Sequence, residues 1–398
     1  MTEPTLTFRQ ILDPVTPEEF FATYFQKKPL HIPGTPDKFA RVCTWSDWND
    51  LVNMTDIWSD RSFKMVLDCE TLDAGDYCRP SASRDGIRMM RPHPPRVAAL
   101  MQQGASIVLD LIEMLSPGIR ATTEALQMAF ATRVSCNAYC SQNQRQAFPS
   151  HFDSTEVIAL HVEGRKTWRV YKGRFPEPLE RPGYNHPSFS PEHHERAKGE
   201  LLMEVELKPG DLLYLPKGVY HDALASSEAC LHLSFGLTEA RGLDFLQWLV
   251  GSLDQLEVVR QALPRFDDIE AHEAHVRRIA AAVKEVLDTP DMAQQFRAEQ
   301  RLKAFENMTH IRMPGGSSKR YRVAASGVRL VRRGQDWQIV SARGKGACEA
   351  RDEAAVRWVL ERDHFDLASL TRAFEGDGEQ RMLAILETLA SIGVVEAL

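Results

Sequence analysis

The sequence lacks any run of about 18 or more apolar residues, the length that a membrane-spanning helix needs. Its first residues are acidic and interrupted by prolines, without the basic start and apolar stretch of a secretory signal. Seven cysteines are scattered along 398 residues, and none of them forms a CxxC pair. These absences predict a cytoplasmic protein whose thiols stay free.

A strong excess of charge is also missing. Apolar residues make up 43% and charged residues 26% of the chain, which is typical of a folded globular protein. The formal net charge is −7, so the whole molecule has no general attraction for nucleic acid or acidic membranes. Nucleic-acid contact is expected only through a basic patch at 319–345, in which Asp336 is the single acid. A solvated charged surface is the alternative interpretation.

From about residue 131 the chain has the pattern of short strands separated by turns. Strands are predicted at 132–140, 155–162, 165–171, 201–207, 211–215 and 229–237. Turn signals lie between them at Glu163-Gly164, 208–211 and 216–218. Many short strands at this spacing predict a mainly β core, an antiparallel sandwich or barrel of jelly-roll type.

Helical patterns flank this β region. Before it, helices are predicted at 14–30, 45–53 and 106–130. After it, apolar residues at helical spacing predict a charged helical region from about 239 to 309. The pattern then predicts strands within 320–341 and helices at 352–362, 366–374 and 378–391.

Two histidines and a carboxylate in the β region have the spacing of a metal site. His151 and Asp153 stand at the mouth of a predicted strand, where residues i and i+2 share a face. His221 follows the turns at 208–211 and 216–218, where an adjacent strand can bring it to the same site. Two histidines and one carboxylate leave positions open for a chelating cosubstrate and O2, as in non-haem iron(II) oxygenases. An HxD pair alone is more typical of hydrogen bonding without a metal.

A predicted hairpin at 157–171 adds a cation to this constellation. Alternation places Lys166, Trp168 and Val170 on one face of its second strand, and the apolar neighbours indicate that this face points into the core. A buried ammonium group is costly without an anion, and the distal carboxylate of 2-oxoglutarate is a natural partner. The alternative is a lysine that extends to the rim of the barrel.

These residues resemble the JmjC-type cupin oxygenases, closest to the bacterial ribosomal oxygenase (cupin-4) group, which hydroxylates residues of ribosomal proteins. The similarity extends over nearly the whole chain. Its motifs are Asn137-Ala-Tyr139, His151-Phe-Asp153, Glu163-Gly-Arg-Lys166-Thr-Trp168, Pro209-Gly-Asp211, His221 and His232-Leu-Ser234.

The resemblance implies a double-stranded β-helix of the JmjC cupin type. It implies a catalytic domain with N-terminal helical elements at 1–238, a helical dimerisation region at 239–309 and a winged-helix-like α+β domain at 310–398. It implies the cofactors iron(II), 2-oxoglutarate and O2, and a homodimer. The implied iron ligands and catalytic residues are His151, Asp153 and His221, and the implied 2-oxoglutarate residues are Lys166, Asn137, Tyr139 and Ser234.

The expected function is therefore hydroxylation of a side chain in a protein substrate such as a ribosomal protein. Two alternatives stay open: a hydroxylase of a small peptide or amino acid, and a non-catalytic metal-binding cupin regulator. The segment 174–200 matches no familiar substrate loop, and Cys230 stands where many relatives have a small hydroxyl residue. The substrate, and the choice between hydroxylation and demethylation, are therefore left open.

Other cysteines and histidines are predicted to be structural. Cys136 and Cys140 share the strand face opposite Asn137 and are predicted to be core residues rather than metal ligands. His161 and His232 are predicted to be hydrogen-bonded within strands, and His232 is also able to line the site. His193-His194 is predicted to lie in an exposed acidic loop, with a second metal site as the alternative.

Overall fold

A computed structural model describes residues 6–82, 86–142, 148–225, 229–305, 320–325, 328–341, 343–374 and 378–397. The chain divides into two compact units, residues 1–308 and 309–398. Of the helical segment predicted at 239–309, residues 239–305 lie in the first unit, and the rest lies outside the described residues. None of the helices in these described stretches has the length and apolar character needed to cross a membrane.

The first unit is built from short strands with helices before and after them. Its strands are β1 (Leu30–Ile32), β2 (Phe63–Leu67), β3 (Glu70–Thr71), β4 (Cys78–Ala82), β5 (Arg88–Pro92), β6 (Ser106–Leu109), β7 (Arg133–Gln142), β8 (Glu156–Glu163), β9 (Lys166–Arg174), β10 (Leu201–Leu207), β11 (Leu212–Leu215), β12 (Val219–Ala225) and β13 (Ala229–Thr238). Its helices are α1 (Phe8–Leu12), α2 (Pro17–Glu19), α3 (Trp45–Asn53), α4 (Ala74–Tyr77), α5 (Pro94–Gln102), α6 (Pro117–Phe130), α7 (Pro191–Ala197), α8 (Gly242–Ser252), α9 (Glu257–Arg260), α10 (Ile269–Leu287) and α11 (Met292–Phe305).

Two antiparallel sheets face each other in this unit. The large sheet has the order β1-β11-β8-β13-β7-β6-β2-β3, and the small sheet has the order β10-β9-β12. Apolar side chains from both sheets meet in one buried cluster, formed by Val157, Ala159, Trp168, Val170, Leu207, Leu213, Leu215 and Val219. The predicted antiparallel sandwich is confirmed, and the inner faces of its two sheets enclose the space that the predicted site residues line.

The predicted hairpin at 157–171 is wrong. β8 pairs with β11 and β13 in the large sheet, whereas β9 pairs with β10 and β12 in the small sheet. The turn between them therefore crosses from one sheet to the other. At this crossing Gly164 has φ +67°, and a Cβ atom there would lie 2.0 Å from Ala229 O, so only glycine fits. β11 and β12 lie in different sheets in the same way.

The predicted helix at 106–130 is correct only in its second half. Residues 106–109 form strand β6, which lies between β2 and β7, and all four of its residues are buried. The run Ile107-Val-Leu suits a buried strand because its β-branched side chains pack well on a pleated surface. α6 begins at Pro117, a favoured first helical residue. The predicted helix at 14–30 is likewise shorter, formed by α2 and a π-helical turn, Phe20–Tyr24.

The second unit combines two small sheets with three helices. Its strands are β14 (Arg320–Val323), β15 (Arg329–Arg333), β16 (Asp336–Ser341), β17 (Gly344–Cys348), β18 (His364–Asp366) and β19 (Val395–Ala397), and its helices are α12 (Glu353–Leu360), α13 (Leu367–Ala373) and α14 (Glu379–Ser391). The sheets have the orders β18-β14-β19 and β15-β16-β17. The three helices match the predictions, whereas the short strands β17, β18 and β19 were not predicted.

Candidate active site

The segment that carries His151 and Asp153, called the ligand segment below, lies along the free side of β12. His151 N–H donates to His221 O at 3.0 Å, and His221 N–H donates to His151 O at 2.9 Å, which forms an isolated antiparallel bridge. Gly218 N–H donates to Asp153 O at 2.8 Å. Gly218 has φ +81°, and a Cβ atom there would lie 2.1 Å from Phe175 O. The turn before β12 therefore needs glycine to let Phe175 approach, whose N–H donates to Gly218 O at 2.8 Å.

The bridge brings the three predicted metal ligands together. His221 lies opposite Val170 of β9, on the face that points between the sheets. His151 Nε2 lies 4.0 Å from Asp153 Oδ1, and His221 Nε2 lies 3.5 Å from Asp153 Oδ2. One ligand atom from each residue lies within 4.8 Å of the other two, and the described part of the chain has no second group of this kind.

Backbone carbonyls orient both imidazole rings. His151 Nδ1 lies 2.8 Å from Pro149 O, and His221 Nδ1 lies 3.0 Å from Val219 O. Because a carbonyl oxygen only accepts, the neutral form of each ring carries its proton on Nδ1 and has a free lone pair on Nε2. Burial lowers the pKa of His151, and the charge of the neighbouring His221 lowers it further. His151 is therefore neutral at pH 7, the form in which imidazole binds a metal.

Lys166 lies where strand alternation predicts it, on the inner face of β9. It is 3% exposed, and its Nζ donates to Ser141 Oγ at 3.3 Å. Burial lowers the pKa of Lys166. Lys166 pairs with Ala225 of β12, whereas His221 pairs with Val170. Four residues thus separate Lys166 from His221 along the sheet, about 13 Å at roughly 3.3 Å per residue.

Unsatisfied polar atoms surround the space between Lys166 and the three predicted ligands. Trp168 Nε1 and His232 Nδ1 are buried and have no hydrogen-bond partner among the described residues. Trp168 Nε1 can only donate. His161 Nε2 donates to Gly164 O at 3.1 Å, which leaves its buried Nδ1 as an unsatisfied acceptor. Sequence reasoning found His232 but missed the Trp168 donor, because the burial of an indole nitrogen cannot be read from a strand pattern.

β7 and β13 carry the remaining predicted residues. Asn137 lies opposite Ser234, and Tyr139 lies opposite His232. The rings of Tyr139 and His232 stack with centroids 4.9 Å apart. Asn137 Oδ1 accepts from Leu111 N–H at 3.0 Å. Burial raises the pKa of Tyr139, so its hydroxyl stays protonated at neutral pH. All three predicted residues lie on the inner face of the large sheet, and their role in binding a cosubstrate stays a prediction.

The segment 174–200, called the cap below, packs against the ligand segment. The His186 ring lies 5.5 Å from the His151 ring. His194 Nε2 donates to His186 O at 3.1 Å, which leaves Nδ1 to accept from Tyr220 Oη at 3.0 Å. His194 is 5% exposed, so the prediction of an exposed loop is wrong for this residue. The cap forms a 3-10 turn and α7 instead.

The face opposite the site is apolar. Cys136 and Cys140 are buried in the main core, on the side of β7 that points away from Asn137, as alternation predicts.

Cys230 lies opposite Ser141, on the inner face. Burial raises the pKa of the Cys230 thiol, which therefore stays protonated near Lys166.

Residues 115–245 match the family model described as JmjC domain. The chain contains a JmjC domain. This domain includes every candidate residue from Asn137 to Ser234. Both residues of the bridge, His151 and His221, belong to it.

Curated relatives of this JmjC domain are considerably longer than the chain. "Bifunctional lysine-specific demethylase and histidyl-hydroxylase NO66" of Aedes aegypti is 30% identical over 218 residues, which cover 54% of this chain and 32% of the relative. "Ribosomal oxygenase 1" of Gallus gallus is 29% identical over 324 residues, which cover 75% of this chain and 50% of the relative. The chain thus spans between about a third and a half of these two relatives.

Solved structures share the fold over almost the whole chain. The X-ray structure of Escherichia coli YcfD is 16% identical, with a TM-score of 0.50, and the match covers 96% of this chain and 98% of that one. A second YcfD structure, titled as a ribosomal oxygenase in complex with cobalt and 2-oxoglutarate, is 15% identical with a TM-score of 0.51 and the same coverage. At 15–16% identity, the similarity to these structures shows a shared fold and nothing about activity. The predicted JmjC cupin fold is confirmed.

Proposed function

We propose that this protein is an iron(II)- and 2-oxoglutarate-dependent dioxygenase that hydroxylates a side chain of a ribosomal protein. One observation carries the proposal: His151, Asp153 and His221 converge at one end of an inner face, and a buried lysine stands at the other end. The names of the relatives, a histidyl-hydroxylase and a ribosomal oxygenase, support it, as do the cobalt and 2-oxoglutarate in a YcfD structure.

The donor set fits iron(II). Two imidazole nitrogens and one carboxylate would hold the ion, and a chelating keto acid and O2 would complete its ligand set. Iron(II) with 2-oxoglutarate and O2, when bound, supplies the oxidising power to insert one oxygen atom into a substrate C–H bond. The carbonyl groups of Pro149 and Val219 hold the two rings in the required tautomer and orientation.

The inner face also fits 2-oxoglutarate. Lys166 would bind the distal carboxylate, and the Trp168 indole N–H is available as a second donor. The reach of a lysine side chain and the length of a five-carbon diacid suit the offset of about 13 Å between Lys166 and His221. Asn137, Tyr139 and Ser234 would flank the cosubstrate. The apolar cluster between the sheets would limit the access of water to it.

Two other functions are weighed against this one. A hydroxylase of a small peptide or free amino acid would use the same metal centre. A metal-binding regulator without catalysis would have no use for a buried cation, because an unpaired ammonium group destabilises the fold. The burial of Lys166 therefore favours an enzyme.

The test combines a spectrum with mass spectrometry. Under anaerobic conditions, iron(II) and 2-oxoglutarate added together should give the weak visible charge-transfer band of the chelate. In air, ribosomal proteins from cells that contain the protein should gain the mass of one oxygen relative to cells that lack it. Absence of the band would overturn the cosubstrate proposal. A band with oxygen gain only on short peptides would favour the peptide hydroxylase, and loss of methyl groups would indicate a demethylase.

We propose that residues 239–309 mediate a homodimer. This region leaves many large apolar side chains in contact with solvent, with Phe266 89% exposed. Exposed apolar side chains concentrated in one region are typical of protein interfaces. They are Leu243, Leu246, Val250, Val259, Leu263, Phe266, Ile269, Val276, Leu287 and Leu302. Light scattering at micromolar concentration should give twice the mass of the chain, and a monomer would contradict the proposal.

We propose that residues 310–398 form a winged-helix-like domain whose nucleic-acid contacts run through β15 and β17. Within the described residues, Arg329, Arg332, Arg333 and Lys345 have no ion pair, whereas Arg322, Arg351, Arg357 and Arg381 each pair with an acid. Unpaired cations on one small sheet suit a polyanion. Lys319 of the predicted patch lies outside the described residues. Binding of single-stranded RNA that weakens steeply with salt would support the contact.

We propose a cytoplasmic location, because seven free thiols are typical of a protein in a reducing compartment.

A further inference from the structure

The bridge between the ligand segment and β12 has an outer face as well as an inner one. Since His151 pairs with His221 in antiparallel register, Ser150 lies opposite Asp222 and Phe152 lies opposite Tyr220. Alternation turns these four side chains away from the metal ligands. The rings of Phe152 and Tyr220 pack edge to face with centroids 5.3 Å apart.

Asp222 links three parts of the structure behind the ligands. It is 4% exposed, and its Oδ2 accepts from Ser150 Oγ at 2.7 Å and from Tyr171 Oη at 2.7 Å. Lys198 Nζ of the cap donates to Ser150 Oγ at 3.3 Å. One buried carboxylate on β12 therefore holds the ligand segment and β9 through short hydrogen bonds. Hydrogen bonds to a carboxylate are shorter and stronger than bonds between neutral groups.

The ligand segment depends on such contacts for its register. Its pairing with β12 is an isolated bridge rather than a continuous ladder. A slip by one residue would turn His151 and Asp153 to the outer face and Phe152 to the inner one. A hydrogen bond between the directly opposed side chains of Ser150 and Asp222 opposes that slip because it exists in only one register.

We propose that Asp222 is a positioning residue that, through Ser150 and Tyr171, locks the register in which His151 and Asp153 converge with His221. The inference rests on the proposed function, because the residues that Asp222 positions are the ligands of the proposed iron site. Asp222 itself points away from the metal and would bind neither metal nor substrate.

Asp211 provides a matched control in the same unit. It is a buried carboxylate with a comparable set of partners: it accepts from Gly34 N–H at 2.9 Å and from Lys208 N–H at 3.1 Å, and it contacts His31 Nε2 at 3.2 Å. It lies at the turn before β11, and these contacts tie that turn to β1 and the residues after it rather than to the ligand segment. Asp211→Asn and Asp222→Asn therefore each weaken the hydrogen bonds of one buried carboxylate. Only Asp222→Asn weakens a hydrogen bond to the ligand segment.

The experiment titrates the metal-free protein with cobalt(II) and follows the d–d absorption bands, alongside thermal unfolding of the same samples without metal. Asp222→Asn should weaken cobalt(II) binding about 10- to 100-fold, the usual effect of removing a partner that orients metal ligands. Its bands should also shift, because the ligand geometry changes. Asp211→Asn should lower the unfolding temperature and leave the cobalt(II) affinity and spectrum as in the unchanged protein.

Unchanged cobalt(II) affinity in Asp222→Asn would overturn the inference, as would an equal loss of affinity in Asp211→Asn. If Asp222→Asn does not fold, Ser150→Ala and Tyr171→Phe each remove one hydrogen bond, and the same weakening is expected in Ser150→Ala. Failure of the unchanged protein to bind cobalt(II) would instead count against the proposed metal site. The two failures are therefore distinguishable.

Discussion

The two faces of β7, β8 and β13 share one backbone but have opposite chemistry. The face toward the helices is apolar and fully buried, with Cys136, Ala138, Ile158, Leu160, Leu233 and Phe235. The face toward the small sheet carries Asn137, Tyr139, His161, His232 and Ser234. Burial of apolar surface stabilises the fold, whereas buried polar groups stabilise it only when they are paired. The contrast separates a face that holds the domain together from a face that is arranged around ligands.

The largest effect is expected from the carboxylate among the proposed ligands. Asp153→Ala should abolish metal-dependent formation of succinate from 2-oxoglutarate, because two imidazole nitrogens alone bind iron(II) poorly. The Asp153 side chain is 41% exposed, so the free energy of unfolding without metal should change by only about 0.5 kcal/mol. Succinate assays and chemical denaturation measure the two quantities. Succinate formation at the original rate would remove Asp153 from the metal site.

On the apolar face, Phe235→Ala should lower the free energy of unfolding by about 3–5 kcal/mol, because it leaves a cavity in the main core. Its neighbour Ser234 points to the other face, so Ser234→Ala should cost far less stability and serves as the matched control. Chemical denaturation at one temperature compares the two variants. Equal losses of unfolding free energy in the two variants would contradict the inference that only the apolar face holds the domain together.

A smaller effect is expected at Lys166. Lys166→Met should raise the KM for 2-oxoglutarate about 10- to 100-fold, the loss of a charged hydrogen bond worth roughly 1.5–3 kcal/mol. Stability without ligand should stay the same or rise by about 1 kcal/mol, because an unpaired buried charge is removed. Iron(II) affinity should be unchanged. Lower stability with an unchanged KM would make Lys166 a structural residue.

The pH dependence of stability adds a second check on Lys166. Burial lowers its pKa in the folded protein, so between that pKa and the unfolded value of about 10.4 the unfolded chain binds more protons. The stability of the unliganded protein therefore rises with pH across this window. In Lys166→Met that part of the slope should disappear. Equal slopes in the two proteins would contradict the burial of a charged lysine.

Sequence patterns predicted features that depend on one strand at a time. Alternation alone placed Lys166 and Trp168 inward and Cys136 outward, because side-chain direction needs no knowledge of the partner strand. The i, i+2 spacing of His151 and Asp153 worked in the same way. These inferences needed only the strand period and the apolar character of neighbouring residues.

Several features that depend on strand pairing were not predicted correctly. The turn at Glu163-Gly164 resembles a hairpin locally, and only the surrounding sheets show that its strands separate. A buried apolar run such as 106–109 is compatible with either a strand or a helix until its neighbours are known. The contacts of His194 with Tyr220 and of Ser150 with Asp222 join residues distant in sequence. The second pair could have been inferred once His151 was assumed to lie opposite His221.

Phe152 lies between two proposed ligands in the sequence and faces the other way. It is buried, and its ring stacks on Phe175 at the base of the cap, with centroids 4.7 Å apart and planes 5° from parallel. Lifting the cap would expose this ring to water and remove the packing that holds His151 and Asp153 from behind. The cap and the ligand segment thus share one buried side chain, and the contact with Phe175 stabilises the segment that carries His151 and Asp153.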